Sequence, residues 1–414
     1  MRQSQLFAKT RREAPKDEVS KNAILLTRAG FVSKEMAGVY NFLPLGLKTL
    51  NKIIEIIREE MNALGAQEIF MSSLQRKELW ERTDRWSDEK VDAWFKTQLK
   101  DGAELGLGFT HEEPISNMLE QFVSSYKDLP FSLYQFQTKF RNETRAKSGI
   151  MRTREFIMKD LYSFSRDEAE HQSFYDRAAD AYSKIFERVG IGEKTYMTRA
   201  SGGSFSRFSH EFQTVTDTGE DTIYTIPDSK MAINKEIINE PEALSDLSVK
   251  ADELIEKRAV EVGNIFTLGT KFSEYLNFKN EKGEEQEVFM GSYGIGPARL
   301  MGTIVELLSD EKGIVWPESV APFKLHLLLL SPDEKVRKLA DEIYHTLSKE
   351  NIETLFDDRD LRAGEKFNDA DLIGIPHQLI IGDKVAQSGM FELKNRQTGE
   401  IRQITLEHVL SEFK

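Results

Sequence analysis

An α+β unit with an antiparallel hairpin at its centre and helices against it, followed by a smaller α/β domain, is the fold class that the sequence predicts. Three observations carry this. Two segments rich in aromatic and β-branched residues, Phe131 to Glu143 and Arg152 to Phe164, flank the polar, glycine-bearing stretch TRAKSGI, the pattern of a hairpin. Apolar residues at Leu47, Leu50, Ile53, Ile54, Ile57, Met61 and Leu64 recur at three- and four-residue steps, the pattern of one long amphipathic helix. After Trp316-Pro317 the chain alternates KLHLLLL, DEKVRKLADEIYHTLSKE and IETLFD, then a polar segment and HQLIIGD, which reads as strand, helix, strand and strand of a domain of about ninety residues.

The elements follow in order. Gly65 closes the long helix, because glycine accepts the left-handed turn that ends many helices. A second helix is expected at roughly 167–189, behind the hairpin. Residues 217–262 are acidic and polar, and Pro241 opens PEALSDLSVKADELIEKR, so this stretch is expected to be a short insertion. EVFMGSYGIGPARLMGTIVELL is a strand that runs through Gly291, Gly294 and Gly296 into a helix whose first turn carries Arg299. The expected boundaries are 1–216 and 263–318 for the main domain, 217–262 for the insertion and 322–414 for the C-terminal domain.

Composition removes several function classes. The chain has 414 residues, 39% hydrophobic and 30% charged, which fits two or three folded units rather than a disordered tail. Apolar runs such as Leu327–Leu330 are strand-sized, far short of a bilayer span, and the N-terminus lacks the apolar core of a signal peptide. A cytoplasmic protein is the expectation. Without cysteine there is no disulfide scaffold, thiol nucleophile or cysteine-bound zinc. A net charge of -13 argues against indiscriminate coating of nucleic acid, though not against a local basic site.

Such a site is present. From Lys139 to Lys159 there are seven basic and two acidic residues, an inversion of the bulk charge. On extended strands Arg141 and Glu143 would share one face, as would Arg152, Arg154, Phe156, Met158 and Asp160. A guanidinium fork matches phosphate oxygens at two points and a flat ring stacks on a purine, so this face has the parts of a nucleotide site; the alternative is a solvated sheet edge with scattered salt bridges. Glycines and a helix N-terminus at Gly294-Ile-Gly-Pro-Ala-Arg299 favour an anion, or they merely let strand and helix pack. Thr110 and Glu112 of GFTHEEP would share a strand face and could hold a cationic amine, or they could form an ordinary helix start before Pro114. Neither a GxxxxGK[ST] loop nor an HExxH or GxSxG motif occurs, so a phosphate-binding P-loop, a zinc site and a serine hydrolase are disfavoured.

Three segments, taken together, carry a resemblance. Gly38-Val-Tyr-Asn-Phe-Leu-Pro44 ahead of the long helix, Phe140-Arg-Asn-Glu143 with Arg152-Thr-Arg-Glu-Phe156-Ile-Met-Lys-Asp160, and Gly294-Ile-Gly-Pro-Ala-Arg299 resemble the three signature motifs of class II aminoacyl-tRNA synthetases. Within that class THEEPI at 110–115, REFIMKDLYSF at 154–164, SHEFQ at 209–213, MGSYGIG at 290–296 and GEKFNDADLIGIP at 364–376 resemble the prolyl-tRNA synthetase family over nearly the whole chain.

The resemblance implies a catalytic domain on an antiparallel sheet flanked by helices, followed by an α/β anticodon-binding domain. It implies a ligase of protein biosynthesis that uses ATP and Mg2+ and no zinc to activate L-proline and transfer it to tRNA(Pro). Arg141 would bind the α-phosphate, with Arg141 and Arg299 as the catalytic pair. Arg152 and Arg299 would hold the outer phosphates, Phe156 would stack on adenine, and Glu143 would contact its amino group. Thr110 and Glu112 would grip the proline nitrogen, with Met158, His210 and Ser292 in the pocket wall. Pro44 and its helix would lie at a homodimer interface. In the C-terminal domain 13 basic and 17 acidic residues leave no diffuse attraction for RNA, so particular contacts must serve, with Arg359 and Lys366 as candidates unless they pair with Asp357, Asp358 or Asp360.

Three departures from the family pattern are visible. Only 217–262 is available between the second and third motifs, which leaves no room for a large editing domain and argues against hydrolysis of misacylated alanyl product in cis, with a separate trans-editing protein left open. Ser292 stands where relatives commonly carry cysteine. No extra C-terminal zinc-bearing domain follows, which places the chain nearest the compact bacterial-type form. A threonyl-type enzyme would need a cysteine-built zinc pocket, and a catalytically silent, RNA-binding or regulatory paralogue would tolerate loss of Arg141, Glu143 or Arg299, all of which are present.

Overall fold

In the computed structural model the chain divides into two units, one of Met1–Glu35, Tyr40–Ile53 and Ile304–Lys414 and the other of Met36–Val39 and Ile54–Thr303. The structure describes all residues except 17, 145, 147, 204–206, 246–248 and 250–252, and all side chains but those and 245, 386 and 387. Arg145 and Lys147, two of the seven basic residues counted above, therefore lie outside the described residues.

The second unit is built on nine strands: β1 (Gln67–Glu68), β2 (Phe131–Phe140), β3 (Glu155–Ser165), β4 (Thr195–Ser201), β5 (Phe208–Val215), β6 (Asp221–Thr225), β7 (Met231–Asn234), β8 (Ile255–Gly269) and β9 (Phe289–Ile295). They lie side by side in the order β5-β4-β7-β6-β8-β9-β3-β2-β1, antiparallel except for β7 beside β4 and β1 beside β2. A further pairing of β5 with β8 closes β5, β4, β7, β6 and β8 on themselves. The expected hairpin is β2 and β3, paired from Phe131↔Phe164 to Phe140↔Glu155.

The stretch expected as a short insertion is instead threaded into this sheet: β6, β7 and the first half of β8 all fall within 217–262. Short strands with one wet face, such as DTIYT, present few apolar residues in alternation, so their polar composition reads as loop.

Helices pack on both faces of the sheet. Helix α1 (Pro44–Ala63) begins with Pro44 at its first position and buries Leu50, Ile53, Ile57 and Met61, as the spacing predicts, while Leu47 stays exposed. Gly65 has φ +83°, the left-handed conformation that stops the helix. Helix α2 (Glu112–Leu119) carries the candidate amine-binding residues. Helix α3 (Glu168–Arg188) starts at an Asp167 cap that accepts from Glu170 N, and it lays Phe174, Tyr175, Tyr182 and Phe186 against β3, β5 and β9. Helix α4 (Pro297–Leu307) follows β9 directly.

In the first unit five strands, β10 (Leu325–Leu329), β11 (Thr354–Asp357), β12 (His377–Ile381), β13 (Phe391–Asn395) and β14 (Ile401–Ile404), lie in the order β11-β10-β12-β13-β14. The first three are mutually parallel and the last two pair antiparallel. Helices α5 (Glu334–Lys349) and α7 (Leu406–Phe413) pack Val336, Ile343, Val409 and Phe413 onto Leu327, Leu329 and Leu379, while α6 (Ala363–Ile373) brings Ala370 to Leu328 and Ile380. The segment read as merely polar contains α6, whose apolar stripe is narrow. No helix among the described residues is long and apolar enough to cross a membrane.

Candidate active site

Alternation along the strands decides which side chains meet in the second unit. On β3 Phe156, Met158, Asp160 and Tyr162 point away from α3, and Lys159 and Ser163 point toward it, where Lys159 Nζ meets Tyr182 Oη at 2.6 Å. On β9 Ser292 and Gly294 face with the first set, opposite Tyr162 and Asp160 in register. A cleft opens over this face.

One end of the cleft gathers the arginines. Arg141, Glu143, Arg152, Phe156 and Arg299, drawn from three separate stretches of chain, line a single cavity. Arg141 follows the end of β2 and lies between two rings, 5.1 Å from the centre of Phe109 and 5.4 Å from that of Phe156. Its Nε donates to Phe109 O at 3.5 Å, and no carboxylate among the described residues sits within ion-pairing distance. Burial lowers its pKa and the neighbouring Arg299 adds to this, so the guanidinium is a desolvated cation that an anion would satisfy. Arg299, in the first turn of α4, donates to Met151 O at 2.9 Å and stands 3.3 Å from Glu261.

Sequence reasoning placed Arg152 and Arg154 on the strand with Phe156. In the structure the strand begins at Glu155, and the two arginines diverge. Arg152 pairs with Glu143 and Glu220 at the cavity, whereas Arg154 turns away to the carbonyls of Ala37 and Glu143.

The adjoining cleft, about 720 Å³, is lined by Thr110, Glu112, Met158 and Ser292 among others, and shares Arg141 and Gly294 with the first cavity. Thr110 and Glu112 do not share a strand. They open α2, with His111 at the cap position, because Pro114 suits the first turn. Their hydroxyl and carboxylate still meet: Thr110 Oγ1 donates to Glu112 Oε2 at 2.6 Å, and Ser292 Oγ to Oε1 at 3.5 Å. The floor is a buried polar network in which Asp160 accepts from Lys139 Nζ at 2.8 Å, Gln135 Nε2 at 3.0 Å and Tyr162 Oη at 3.1 Å. Burial pushes the Asp160 carboxyl up, but Lys139, His111 and these hydrogen bonds outweigh it and hold the carboxyl below its ordinary value.

His210, expected in the pocket wall, is on the opposite face of β5, where its Nδ1 meets Tyr175 Oη at 2.8 Å. Its neighbour Glu211 lines the cleft instead, joined to Gln213 and Asn234. Burial, with Glu261 adding to it, raises the Glu211 carboxyl above its usual range. Glu211, Glu261 and Asn264 were missed by sequence reasoning; strict alternation in SHEFQ, where His210 and Phe212 share a face, was the signal for Glu211.

The two candidates in the C-terminal domain are engaged internally. Lys366 is 2% exposed and donates to Leu329 O at 2.5 Å, which ties α6 to the end of β10. Arg359 chelates Asp357 through Nε at 2.9 Å and Nη2 at 2.7 Å and reaches Asp369 at 2.9 Å. Lys366 thus faces the core rather than a ligand, and Arg359 is committed to carboxylates, the pairing that the sequence had left open.

Among the described residues no group of three or more His, Asp or Glu is arranged to hold a metal. Residues 94–307 match the model of the tRNA synthetase class II core domain (G, H, P, S and T), and residues 320–414 match the anticodon binding domain. The chain is 37% identical over 441 residues to a proline--tRNA ligase of Bartonella henselae, covering 100% of this chain and 99% of the relative. It is 39% identical over 440 residues to that of Phenylobacterium zucineum, covering 99% of each. In fold it is similar to a prolyl-tRNA synthetase from Cryptosporidium parvum solved with halofuginone and AMPPNP (TM-score 0.77, 18% identity, 95% of this chain and 77% of that one). The prolyl-tRNA synthetase of Giardia lamblia, solved in complex with prolyl-adenylate, is similar to the same degree (TM-score 0.77, 20% identity, 94% and 75%). Match across both domains and identity along the whole length lead to one conclusion: the chain belongs to the proline--tRNA ligase family of class II aminoacyl-tRNA synthetases.

Proposed function

We propose that the chain activates L-proline with ATP as prolyl-adenylate and transfers the prolyl group to the 3′ end of tRNA(Pro). The observation that carries the reading is the buried Arg141 guanidinium, unpaired by any described carboxylate, at the junction of the arginine-lined cavity and the Glu112 cleft. A cation at that junction suits the α-phosphate of ATP, the centre at which the proline carboxylate and the nucleotide become joined in adenylate formation.

In this reading the proline nitrogen is held by Thr110 and Glu112, with Met158 and Ser292 against the ring, and its carboxylate is directed at the α-phosphorus. The carboxylate oxygen attacks in line, the bond to the bridging oxygen breaks, and pyrophosphate leaves along Arg152 and Arg299. Phe156 offers its face to adenine and Glu143 its carboxylate to the adenine amino group. The terminal ribose hydroxyl of the tRNA then attacks the activated carbonyl and releases AMP. No protein nucleophile is needed; the residues position reactants and stabilise charge.

Glu261 brings a hard oxygen donor to the cavity, and Mg2+ keeps most of its shell as water and phosphate, so this carboxylate fits a magnesium ion carried on the triphosphate. When bound, magnesium neutralises charge on the leaving pyrophosphate. The anticodon-binding domain at 320–414 supports tRNA as the partner. We further assign the chain to the cytoplasm, to a homodimer with Pro44 and α1 near the two-fold axis, and to reliance on a separate trans-editing protein. Two-fold association is checked by sedimentation equilibrium.

The test is ATP–pyrophosphate exchange across all twenty amino acids. Proline alone should support exchange, and Arg141→Ala should reduce it by roughly a hundredfold or more with the circular dichroism spectrum unchanged. Undiminished exchange would remove Arg141 from this role. Exchange with another amino acid, or with none, would overturn the substrate or the activity.

A further inference from the structure

Glu112 and Glu113 open α2 side by side, 3% and 5% exposed, and Arg85 stands over both. The guanidinium Nη1 is 2.8 Å from Glu113 Oε1 but 3.9 Å from Glu112 Oε2. Its loop is firmly set. The short helix Lys77–Glu81 ends in a turn with Asp84 at φ 56°, Arg85 N donates to Trp80 O at 2.9 Å, and Arg85 O accepts from Trp94 Nε1 at 2.9 Å. The guanidinium itself lies 5.1 Å from the Trp80 ring centre and 5.2 Å from that of Phe272. Thr83 Oγ1 also donates to Glu113 Oε1, at 2.8 Å.

This geometry matters because a substrate amine and Arg85 compete for the same carboxylate. The Glu112 carboxylate is already within loose ion-pairing reach of the guanidinium, at 3.9 Å; were the guanidinium to move about one ångström closer, the two would form a direct hydrogen-bonded pair, and a cationic ligand would have to break it. Glu113 holds the guanidinium on the far side. Its second oxygen, Oε2, is buried without a hydrogen-bond partner among the described residues, an arrangement that costs stability and that an apolar side chain would avoid.

We infer that Glu113 is a positioning residue that sequesters Arg85, so that Glu112 keeps its negative charge for the nitrogen of the amino-acid substrate. The inference rests on the reading that Glu112 grips that nitrogen. With two carboxylates and one guanidinium, the trio carries one uncompensated negative charge, and the substrate's cation balances it.

The trio gives proline affinity a dependence on pH. Burial pushes the Glu113 carboxyl up to about 7, against the pull of Arg85 and with Glu112 adding to the rise. Beyond Arg85 and Glu112, the charged and titratable groups around Glu113 are Arg82, Glu120, Lys271, Glu274 and Tyr275, which line the neighbouring cavity. Protonation of Glu113 below that pH would release Arg85 to Glu112.

Pyrophosphate exchange at saturating ATP tests this on the full chain. Glu113→Gln should raise KM for proline by roughly ten- to a hundredfold and leave KM for ATP within about twofold. The double variant Arg85→Gln with Glu113→Gln should recover most of the lost affinity, which a residue that only packs would not allow. In the unmodified protein, KM for proline should climb toward the variant's value between pH 8 and pH 6, while the variant's stays flat. An unchanged KM in Glu113→Gln, a double variant no better than the single, or a flat profile in the unmodified protein would each overturn the inference, and the last needs no variant to fold. Glu112→Gln separates the two readings: if it leaves KM for proline unchanged, the amine assignment of Glu112 itself has failed.

Discussion

Arg152 is shared between two carboxylates, with Nη2 3.0 Å from Glu143 Oε2 and Nη1 2.8 Å from Glu220 Oε2. The guanidinium proposed to take the outer phosphates of ATP is thus partly engaged by a surface carboxylate. The Glu220 partner is nearly half exposed, so its grip is screened and worth under about 1 kcal/mol. Glu220→Gln should therefore lower KM for ATP by roughly two- to fivefold and leave KM for proline unchanged, as read by pyrophosphate exchange. A raised KM for ATP would show that Glu220 aids the nucleotide instead.

The glycines of MGSYGIG divide by what surrounds them. A Cβ at Gly291 would meet Tyr293 Oη at 2.5 Å, His171 Cε1 at 2.6 Å and Ser163 Oγ at 2.9 Å, on the face covered by α3. At Gly296 it would meet only Arg299 Cβ, at 3.5 Å, an ordinary contact. Gly291→Ala should cost about 2 kcal/mol of unfolding free energy through forced repacking, whereas Gly296→Ala should cost less than about 0.5 kcal/mol. Urea denaturation of the two variants checks the contrast.

Contiguous signals were legible in the sequence; partnerships across the fold were less so. The hairpin and the glycine strand announced themselves because period-2 pattern and turn residues are local. The family resemblance, rather than a local pattern, points His210 into the pocket; one residue of register along β5 brings Glu211 to the cleft instead. For Thr110 and Glu112 the sequence left a strand face and a helix start before Pro114 both open; the helix start forms, and the hydroxyl and carboxylate still meet as their chemistry suggested. Glu261 was hidden within a segment whose wet strands resemble an insertion. No sequence pattern could tell whether Arg359 and Lys366 face a ligand or the carboxylates and carbonyls beside them.

The engaged state of Arg359 changes what its removal should do. Asp357 is fully buried, and Arg359→Ala would leave it without its chelating partner, a loss of roughly 3 kcal/mol. The C-terminal domain should unfold at lower urea concentration, followed by far-ultraviolet circular dichroism, with adenylate formation unaffected. Reduced charging at unaltered stability would restore Arg359 as an RNA contact.

Three buried histidines and a partly buried fourth set a limit on the acid side. His111, His171, His210 and His326 are each held down to a pKa of about 4, first of all by burial, which penalises the imidazolium. His111, His171 and His326 each bury an Nδ1 with no hydrogen-bond partner among the described residues, so a proton added there finds no acceptor, and the pull of nearby carboxylates does not outweigh burial. A folded pKa below the unfolded value of 6.5 means that the unfolded chain binds protons first, so this contribution is intact above pH 6.5 and is lost as pH falls toward 4. Each histidine accounts for roughly 3 kcal/mol by the end of that window. The carboxyls of Glu113 and Glu211, raised in the fold, act in the opposite sense and become more favourable as pH falls through 7 toward 4.5, so they offset the first part of the loss. Urea midpoints taken from pH 7 to pH 4 should drop most steeply below about pH 5.5, once the histidine effect outruns the carboxyls. His171→Phe should flatten the curve by one histidine's share, and a curve that does not change would mean that His171 takes up its proton in the folded state.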